Sequence, residues 1–324
     1  MINLQITENE EGQRLDRFLK KYLKNAPLGH IYKLIRKSVK VNGKRSKEDF
    51  MLNKGDEISL YIGDTELENF QKKERDRRSK KQFTIVYEDE NILVADKPFG
   101  LLTHGDKLEK KNHLANQVIS YLIEKGEYIP AKERTFVPSP VNRLDRNTSG
   151  LVIFGKNASS LKDLNFMIRE HGYVDKYYIT IVHGRLTREL NLCDKMQKDE
   201  RRNTVSVIAA EADSGKMMQT VAKPLAYANG YTLCEVKLIT GRTHQIRAHL
   251  ASAGYPVLGD AKYGKYEMNR RTFTKFDLST QFLHAYKLEF QRGYQSLEYM
   301  RGKVIRGDLP RRLEEIKESI FDRR

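Results

Sequence analysis

The sequence predicts an α+β fold: a large region built on a mixed, largely antiparallel sheet, preceded by a small α+β unit. Three observations predict it. Beyond Phe83, apolar segments of strand length recur at 84–87, 91–95, 151–155, 177–183, 204–209, 219–226, 231–238 and 282–290. Helical patterns are few and irregularly placed there, near 112–125, 158–170, 243–253 and 310–320, so no regular strand–helix alternation builds up. Residues 1–64 hold their own pair of helical patterns followed by strands, and 65–82 separate the two regions with a change of composition.

Within 1–64, Leu15, Phe18, Leu19 and Tyr22 stand at i, i+3, i+4 and i+7, the apolar stripe of a helix. Pro27 and Gly29 break it. A second short helix follows, with Ile31, Leu34 and Ile35 on one face and Lys33, Arg36 and Lys37 turned away. Val39-Lys40-Val41-Asn42-Gly43-Lys44 reads as a strand entering an Asn-Gly turn, and Lys54-Gly55-Asp56 turns the chain into a last strand at 57–62. Residues 65–82, TELENFQKKERDRRSKKQ, offer only Leu67 and Phe70 as sizeable apolar groups and are expected to form a basic, solvated linker. Residues 83–324 form the large region. There Cys234, Val236 and Leu238 share one strand face. The helix at 243–253 stops at Gly254 and Pro256.

Lys and Arg number 59 against 43 Asp and Glu, a formal charge of +16. Such a surplus favours a polyanion. Its distribution is more telling than its total. Residues 30–47 carry Lys33, Arg36, Lys37, Lys40, Lys44, Arg45 and Lys47 and no acidic residue, a patch on well-patterned structure that suits nucleic acid. No apolar run approaches the roughly 18 residues of a membrane span. The opening MINLQITENEEGQRL lacks the basic-then-apolar layout of a signal peptide. Only Cys193 and Cys234 are available, so neither a disulfide framework nor a four-thiolate zinc site is expected. The expected setting is cytoplasmic, with no membrane partner.

Chemistry is narrowed by elimination. The chain has no G-x-x-x-x-G-K-S/T and no G-x-G-x-x-G, hence no nucleotide-cofactor loop. It has no H-E-x-x-H, and His244 and His249 are five apart, the wrong spacing for a shared metal face. It has no G-x-S-x-G. Neither a metal nor a cofactor is expected. Two dense polar segments remain, 142–150 and 241–249. The first sets one carboxylate, Asp145, among two arginines, two amides and two hydroxyls just before an apolar strand.

Asn142-Arg143-Leu144-Asp145-Arg146-Asn147-Thr148-Ser149-Gly150-Leu151 resembles the H-R-L-D-x-x-T-S-G-L signature of the RluA-type RNA pseudouridine synthases, departing from it at Asn142. The same family's K-P-x-G stands at Lys97-Pro98-Phe99-Gly100, its K-x-Y at Lys176-Tyr177-Tyr178, and its G-R-T-H-Q-I-R-x-H, complete, at 241–249. Gly259-Asp260 and Tyr263-Gly264 follow. Residues 14–62 resemble the S4 domain in helix-helix-hairpin order and basic character. The likeness covers nearly the whole chain and is nearest to the RluC-type enzymes of large-subunit (23S) rRNA.

The resemblance implies the pseudouridine synthase fold, no cofactor and an RNA partner; a monomer is expected, the sequence itself leaving the oligomeric state open. It assigns the essential carboxylate to Asp145, which could attack the ribose anomeric carbon, add to the base, or take the 2′ proton; the sequence leaves these three open. It assigns Arg247 as the guanidinium paired with Asp145, because burial alone would favour the neutral acid. It assigns Arg143 to the gap left by a flipped base, Tyr178 to stacking on the uracil and Leu238 to the position beneath it. Tyr177 should face the other side of the strand. His244 and Gln245 are expected to orient the helix and Arg247, Lys97 to support the active-site strand, and Asn142 to be structural. Lys33, Arg36, Lys37, Lys40, Lys44 and Arg45 are expected to contact RNA through the S4-like unit. Two rivals stand beside this: a tRNA-directed enzyme, and a non-catalytic RNA-binding or ribosome assembly factor. Joint retention of Asp145, Tyr178 and Arg247 speaks against the second.

Overall fold

The structure, a computed structural model, describes residues 1–71, 79–106, 108–199 and 204–322. The part of the expected linker at 72–78 lies outside these.

The first unit runs β1 (Ile2–Gln5), α1 (Leu15–Tyr22), α2 (Leu28–Ser38), β2 (Val39–Val41), β3 (Glu57–Leu60) and α3 (Asp64–Phe70). Its strands pair antiparallel in the order β1-β3-β2. The predicted stripes meet there: Leu15, Phe18 and Leu19 of α1 and Ile31, Leu34 and Ile35 of α2 bury against Val39, Val41, Ile58 and Leu60. Asn42 and Gly43 both take positive φ, and Val41 and Lys44 exchange backbone hydrogen bonds across them, the tight hairpin expected of Asn-Gly. The expected linker, however, is folded at its start. Leu67 and Phe70, three residues apart on α3, pack partly on this core, and the Asn25 N–H donates to the Phe70 carbonyl at 3.0 Å. β1 was not foreseen either; only Leu4 of its residues is buried, but Ile2, Leu4 and the following Ile6 alternate toward the core, and the strand is too short to stand out in the sequence.

The large region runs β4 (Thr84–Glu88), β5 (Ile92–Lys97), α4 (Leu114–Glu124), β6 (Ser139–Pro140), β7 (Ser149–Gly155), α5 (Ala158–Arg169), β8 (Val174–His183), β9 (Leu190–Asp199), β10 (Thr204–Ile208), β11 (Lys216–Ala228), β12 (Tyr231–Leu238), α6 (Gln245–Ser252), α7 (Tyr266–Phe276), β13 (Leu283–Phe290), β14 (Val304–Arg306) and α8 (Arg311–Phe321). Short 3₁₀ turns lie at Pro130–Lys132 and Gln295–Met300. One sheet joins the strands in the order β10-β9-β11-β12-β8-β13-β7-β5-β4, with β14 on β13 and β6 on β7. Its pairs are antiparallel except β13 with β7, which makes the sheet mixed and largely antiparallel as predicted.

Both faces of the sheet centre are covered. On one, Val152, Phe154, Tyr178, Val182, Cys234 and Val236 meet Val118 and Leu122 of α4 and Ile246 and Leu250 of α6. On the other, Leu151 and Ile153 meet Leu164 and Met167 of α5, while Ile181 and Phe282 meet Leu313, Ile316 and Ile320 of α8. Burial on both sides is why β7 reads as a continuous apolar run rather than an alternation. Each such side chain, fully buried, contributes about 1.5–3 kcal/mol, so the centre is the rigid part. The segments carrying the polar motifs are mounted on its strand ends.

Candidate active site

Asp145 sits in the turn that leads into β7, and that turn is tied down from three sides. The Thr103 hydroxyl accepts from the Leu144 N–H (3.1 Å) and donates to the Leu144 carbonyl (3.0 Å). Lys97, completely buried at the end of β5, donates from Nζ to the carbonyls of Pro98 (3.0 Å), Leu101 (2.8 Å) and Arg146 (3.1 Å). Burial, partly offset by the negative charge of Asp145, pushes Lys97 down to about 7. Asn142 accepts from the Ile153 N–H (2.9 Å) and donates to the Leu151 carbonyl (3.1 Å), so the amide that departs from the family signature is a strand-edge bracket. Gly150 takes φ +115, and a Cβ there would lie 2.2 Å from the Ala285 carbonyl oxygen. Only glycine lets β7 approach β13 this closely.

The second motif presents Arg247 from α6. The predicted helix starts two residues late, at Gln245, because His244 takes a left-handed backbone with φ +54. Gln245 anchors the helix start. Its Oε1 accepts from the Thr240 hydroxyl (2.8 Å) and Arg242 N–H (3.0 Å), and its Nε2 donates to the Gln219 carbonyl (2.9 Å) and Thr220 hydroxyl (3.0 Å). His244 does more than orient the helix. Its Nδ1 meets the Tyr263 hydroxyl at 2.9 Å, which also accepts from the Val205 N–H, and its Nε2 lies 3.8 Å from Asp145 Oδ2. Burial, opposed by the Asp145 charge, lowers the imidazole below its ordinary pKa.

The guanidinium of Arg247 bridges two carboxylates. Nη1 donates to Asp145 Oδ2 at 3.0 Å. Nε and Nη2 donate to Asp260 Oδ2 (2.6 Å) and Oδ1 (2.8 Å), a bidentate pair. Burial opposes the Arg247 charge, yet the hydrogen bonds and charge of Asp260, with Asp145 behind them, raise its pKa overall. The Asp260 side chain is sealed at 0% exposure, that of Asp145 is 22% exposed, and both contacts to Asp145 fall on Oδ2. Among the described residues nothing donates to Oδ1. Asp260 was missed by sequence reasoning as a functional residue. Its signal was the Gly259-Asp260 pair that follows the 241–249 motif, to which no role was assigned; the N–H groups of Lys262 and Tyr263 also donate to its Oδ1.

These groups open onto one cavity of about 330 Å³, lined among others by Asn142, Arg143, Asp145, Lys176, Tyr178, Leu238, His244 and Arg247. That size suits a single small ligand unit. Tyr178 is buried on its floor, and burial plus the nearby Asp145 charge push its phenol upward, so it stays neutral. Tyr177 lies on the other face of β8, with Lys287 Nζ 3.9 Å from its ring centroid and its hydroxyl pushed up to about 12 by burial. Arg143 is exposed at the rim. Lys33, Arg36, Lys37, Lys44 and Arg45 are exposed on the first unit, outside this cavity; Lys40 is half-buried, its Nζ 5.6 Å from the Tyr61 ring centroid.

The sequence model of RNA pseudouridylate synthase matches residues 91–252. An RNA pseudouridine synthase of Mycoplasma capricolum, itself uncharacterized, is 34% identical over 305 residues, 93% of this chain and 95% of its own. The chain belongs to the RNA pseudouridylate synthase family. It is an isomerase acting on uridine in RNA. Ribosomal large subunit pseudouridine synthase C of Escherichia coli K12 is 34% identical over 299 residues, 88% of this synthase and 87% of that one. The same-named protein of Vibrio vulnificus is 32% identical over 289 residues, 88% of this chain and 87% of its own. Two solved structures share the fold. Human RNA pseudouridylate synthase domain containing 1 aligns with TM-score 0.51 at 19% identity, over 73% of this chain and 95% of its own. Human RNA pseudouridylate synthase domain containing 4 aligns with TM-score 0.51 at 20% identity, over 71% and 92%. Among the described residues no helix is long and apolar enough to cross a membrane.

Proposed function

We propose that this synthase isomerises uridines of large-subunit ribosomal RNA in the cytoplasm, with Asp145 as its reactive carboxylate and the target base flipped out of its stack into the cavity. The observation that carries the site is the one-sided hold on Asp145. Arg247 grips Oδ2 and leaves Oδ1 without a protein donor at an open cavity. Isomerisation breaks the bond from N1 to the ribose and makes one from C5, with no net change in atoms or oxidation state. Attack on the anomeric carbon, addition to the base and removal of the 2′ proton all draw on one carboxylate oxygen, and the free Oδ1 serves each.

In this reading Tyr178 and Leu238, which line the cavity, form the platform for the base, and Arg143 at the rim fills the vacated stack; their shared lining supports it. Unstacking costs a few kcal/mol, which the planar cation of Arg143 offsets by stacking and hydrogen bonding. The first unit, residues 1–64 in an S4-like arrangement, contributes Lys33, Arg36, Lys37, Lys40, Lys44 and Arg45 to phosphate contacts. The ribosomal target rests on the likeness to the named large-subunit enzymes.

The test is to delete the gene and map pseudouridines in total RNA by carbodiimide-blocked primer extension. Loss confined to large-subunit rRNA, restored by the parent and not by Asp145→Asn, is the expected result. Loss confined to tRNA would overturn the substrate, and rescue by Asp145→Asn would overturn the site.

A further inference from the structure

Lys176 is a buried cation with nothing to hold. It is 8% exposed and lines the cavity. Among the described residues, no carboxylate, carbonyl or hydroxyl lies within hydrogen-bond or ion-pair distance of its Nζ. The adjacent carboxylate is engaged on the other side of the sheet, where Asp175 accepts from Lys237 Nζ (2.7 Å) and Gln291 Nε2 (3.0 Å). The contrast with Lys97 is direct: that lysine is buried still more deeply but gives its hydrogens to three carbonyls. The Nζ is not sealed in but opens to the cavity, and an ammonium largely withdrawn from water there without a partner is costly. A fold that keeps one at a cavity wall has its partner in the ligand.

The register says which part of the ligand. Lys176 is two residues before Tyr178 on β8, so both side chains leave the same face about 6.5 Å apart along the strand. Its partner across β12 is Leu238. Lys176 therefore borders the platform formed by Tyr178 and Leu238. An ammonium is a donor only, so what it meets must be an acceptor. A base resting on that platform presents carbonyl oxygens at its edge. When the bond from N1 to the ribose breaks, the electron pair leaves with the uracil and spreads onto those oxygens.

We propose that Lys176 is a further catalytic residue, donating to a carbonyl oxygen of the flipped uracil and holding the charge that gathers there as the glycosidic bond breaks. A 4-thio effect would place it at O4, where it would also favour uracil over cytosine, whose 4-amino group is a donor where uracil has an acceptor. Burial holds the lysine below its ordinary pKa, the Asp175 charge partly offsetting this. An anionic ring oxygen would raise it again. The inference rests on the cavity being the uridine site proposed above, but its test separates the two.

The experiment measures single-turnover rate constants and RNA affinity for the parent, Lys176→Met and Lys176→Gln, on one substrate RNA carrying uridine, 2-thiouridine or 4-thiouridine at the target. Sulfur is the weaker acceptor. Expected is a loss of roughly 10²- to 10³-fold in the rate at saturating RNA for both variants, as for an oxyanion donor, with affinity within about threefold because phosphate contacts dominate it. One thio substitution should slow the parent and leave the variants indifferent, a non-additivity that a structural lysine would not produce. If affinity falls, the salt slope drops by about one and the saturating rate is unchanged, Lys176 meets a phosphate and the proposal fails. If both thio effects persist in full in the variants, it fails as well. An active Asp145→Asn control would instead overturn the site reading itself.

Discussion

Replacing Arg247 with methionine keeps much of the stem and removes the guanidinium, and with it three charge-assisted hydrogen bonds. They are unequal. The Asp145 side chain is 22% exposed, so water takes over much of that arm. Asp260 is at 0% exposure; it keeps the N–H groups of Lys262 and Tyr263 on Oδ1 but loses the cation that held both its oxygens. Breaking a buried pair from one side costs about 3–5 kcal/mol. For a folding unit of roughly 150–250 residues each kcal/mol moves Tm by about 2–4 °C. Unfolding of the large region should therefore come about 6–20 °C earlier. Arg247→Met combined with Asp260→Asn should regain part of that, since the stranded charge is gone. Asp145→Asn should cost only about 0–1 kcal/mol while abolishing turnover. Calorimetry on the parent and these three variants, beside single-turnover assays, gives each number. A midpoint for Arg247→Met within about 2 °C of the parent, or equal losses for Arg247→Met and Asp145→Asn, would refute the view that Asp260 is the structural arm and Asp145 the working one.

Lys97 is pushed down to about 7 from 10.5, so unfolding takes up a proton between those values and the parent gains stability as pH rises from about 7 toward 10.5. Lys97→Met lacks this gradient, and the gap between their unfolding free energies should widen by up to about 1.4 kcal/mol per pH unit across that window; denaturation at pH 6.5 and pH 9 checks it, and a constant gap would contradict it. Gly150→Ala would set a Cβ 2.2 Å from the Ala285 carbonyl at φ +115. It should cost roughly 3 kcal/mol or more and slow turnover by shifting the Asp145 turn, read from urea denaturation and single-turnover rates. Removing the exposed charges of Lys33, Arg36 and Lys37 together should lower the log–log salt slope of RNA binding by about 0.7–0.9 for each phosphate no longer neutralised and leave the rate at saturating RNA unchanged. A slope identical to the parent's would remove these residues from the interface.

What the sequence made legible was what depends on burial or on a dense local motif. Leu15, Phe18 and Leu19 gave α1 its stripe, the apolar run through Ile153 gave β7, and Asp145 and Arg247 stood in segments too specific to overlook. The rest failed for physical reasons. β9 shows Asn191, Cys193 and Gln197 to solvent and is held by ladders to β10 and β11, so pairing rather than propensity makes it a strand. α7 buries only Thr272 and α3 buries no residue fully, leaving no stripe to read. The left-handed His244 that delays α6 is set by tertiary contact, its ring reaching Tyr263. Asp260 and Lys176 stand in motifs the sequence displays, yet what matters about each is whom it meets or fails to meet, and that is set only by the folded chain.

Asp260 also explains how one arginine can anchor a carboxylate and leave it reactive. A guanidinium facing a lone carboxylate tends to take both its oxygens in a fork, which at Asp145 would occupy Oδ1, the atom proposed above to react. Here the fork is spent on Asp260, through Nε and Nη2, and only Nη1 remains for Asp145. Asp145 is thus held by a single oxygen, with Oδ1 left to the cavity. The positive charge of Arg247 is shared between two anions, so Asp145 is fixed in place without taking the whole of it. Asp260→Asn should reverse this. With the fork weakened, the guanidinium can swing to grip both oxygens of Asp145, and the rate should fall although neither Asp145 nor Arg247 has changed.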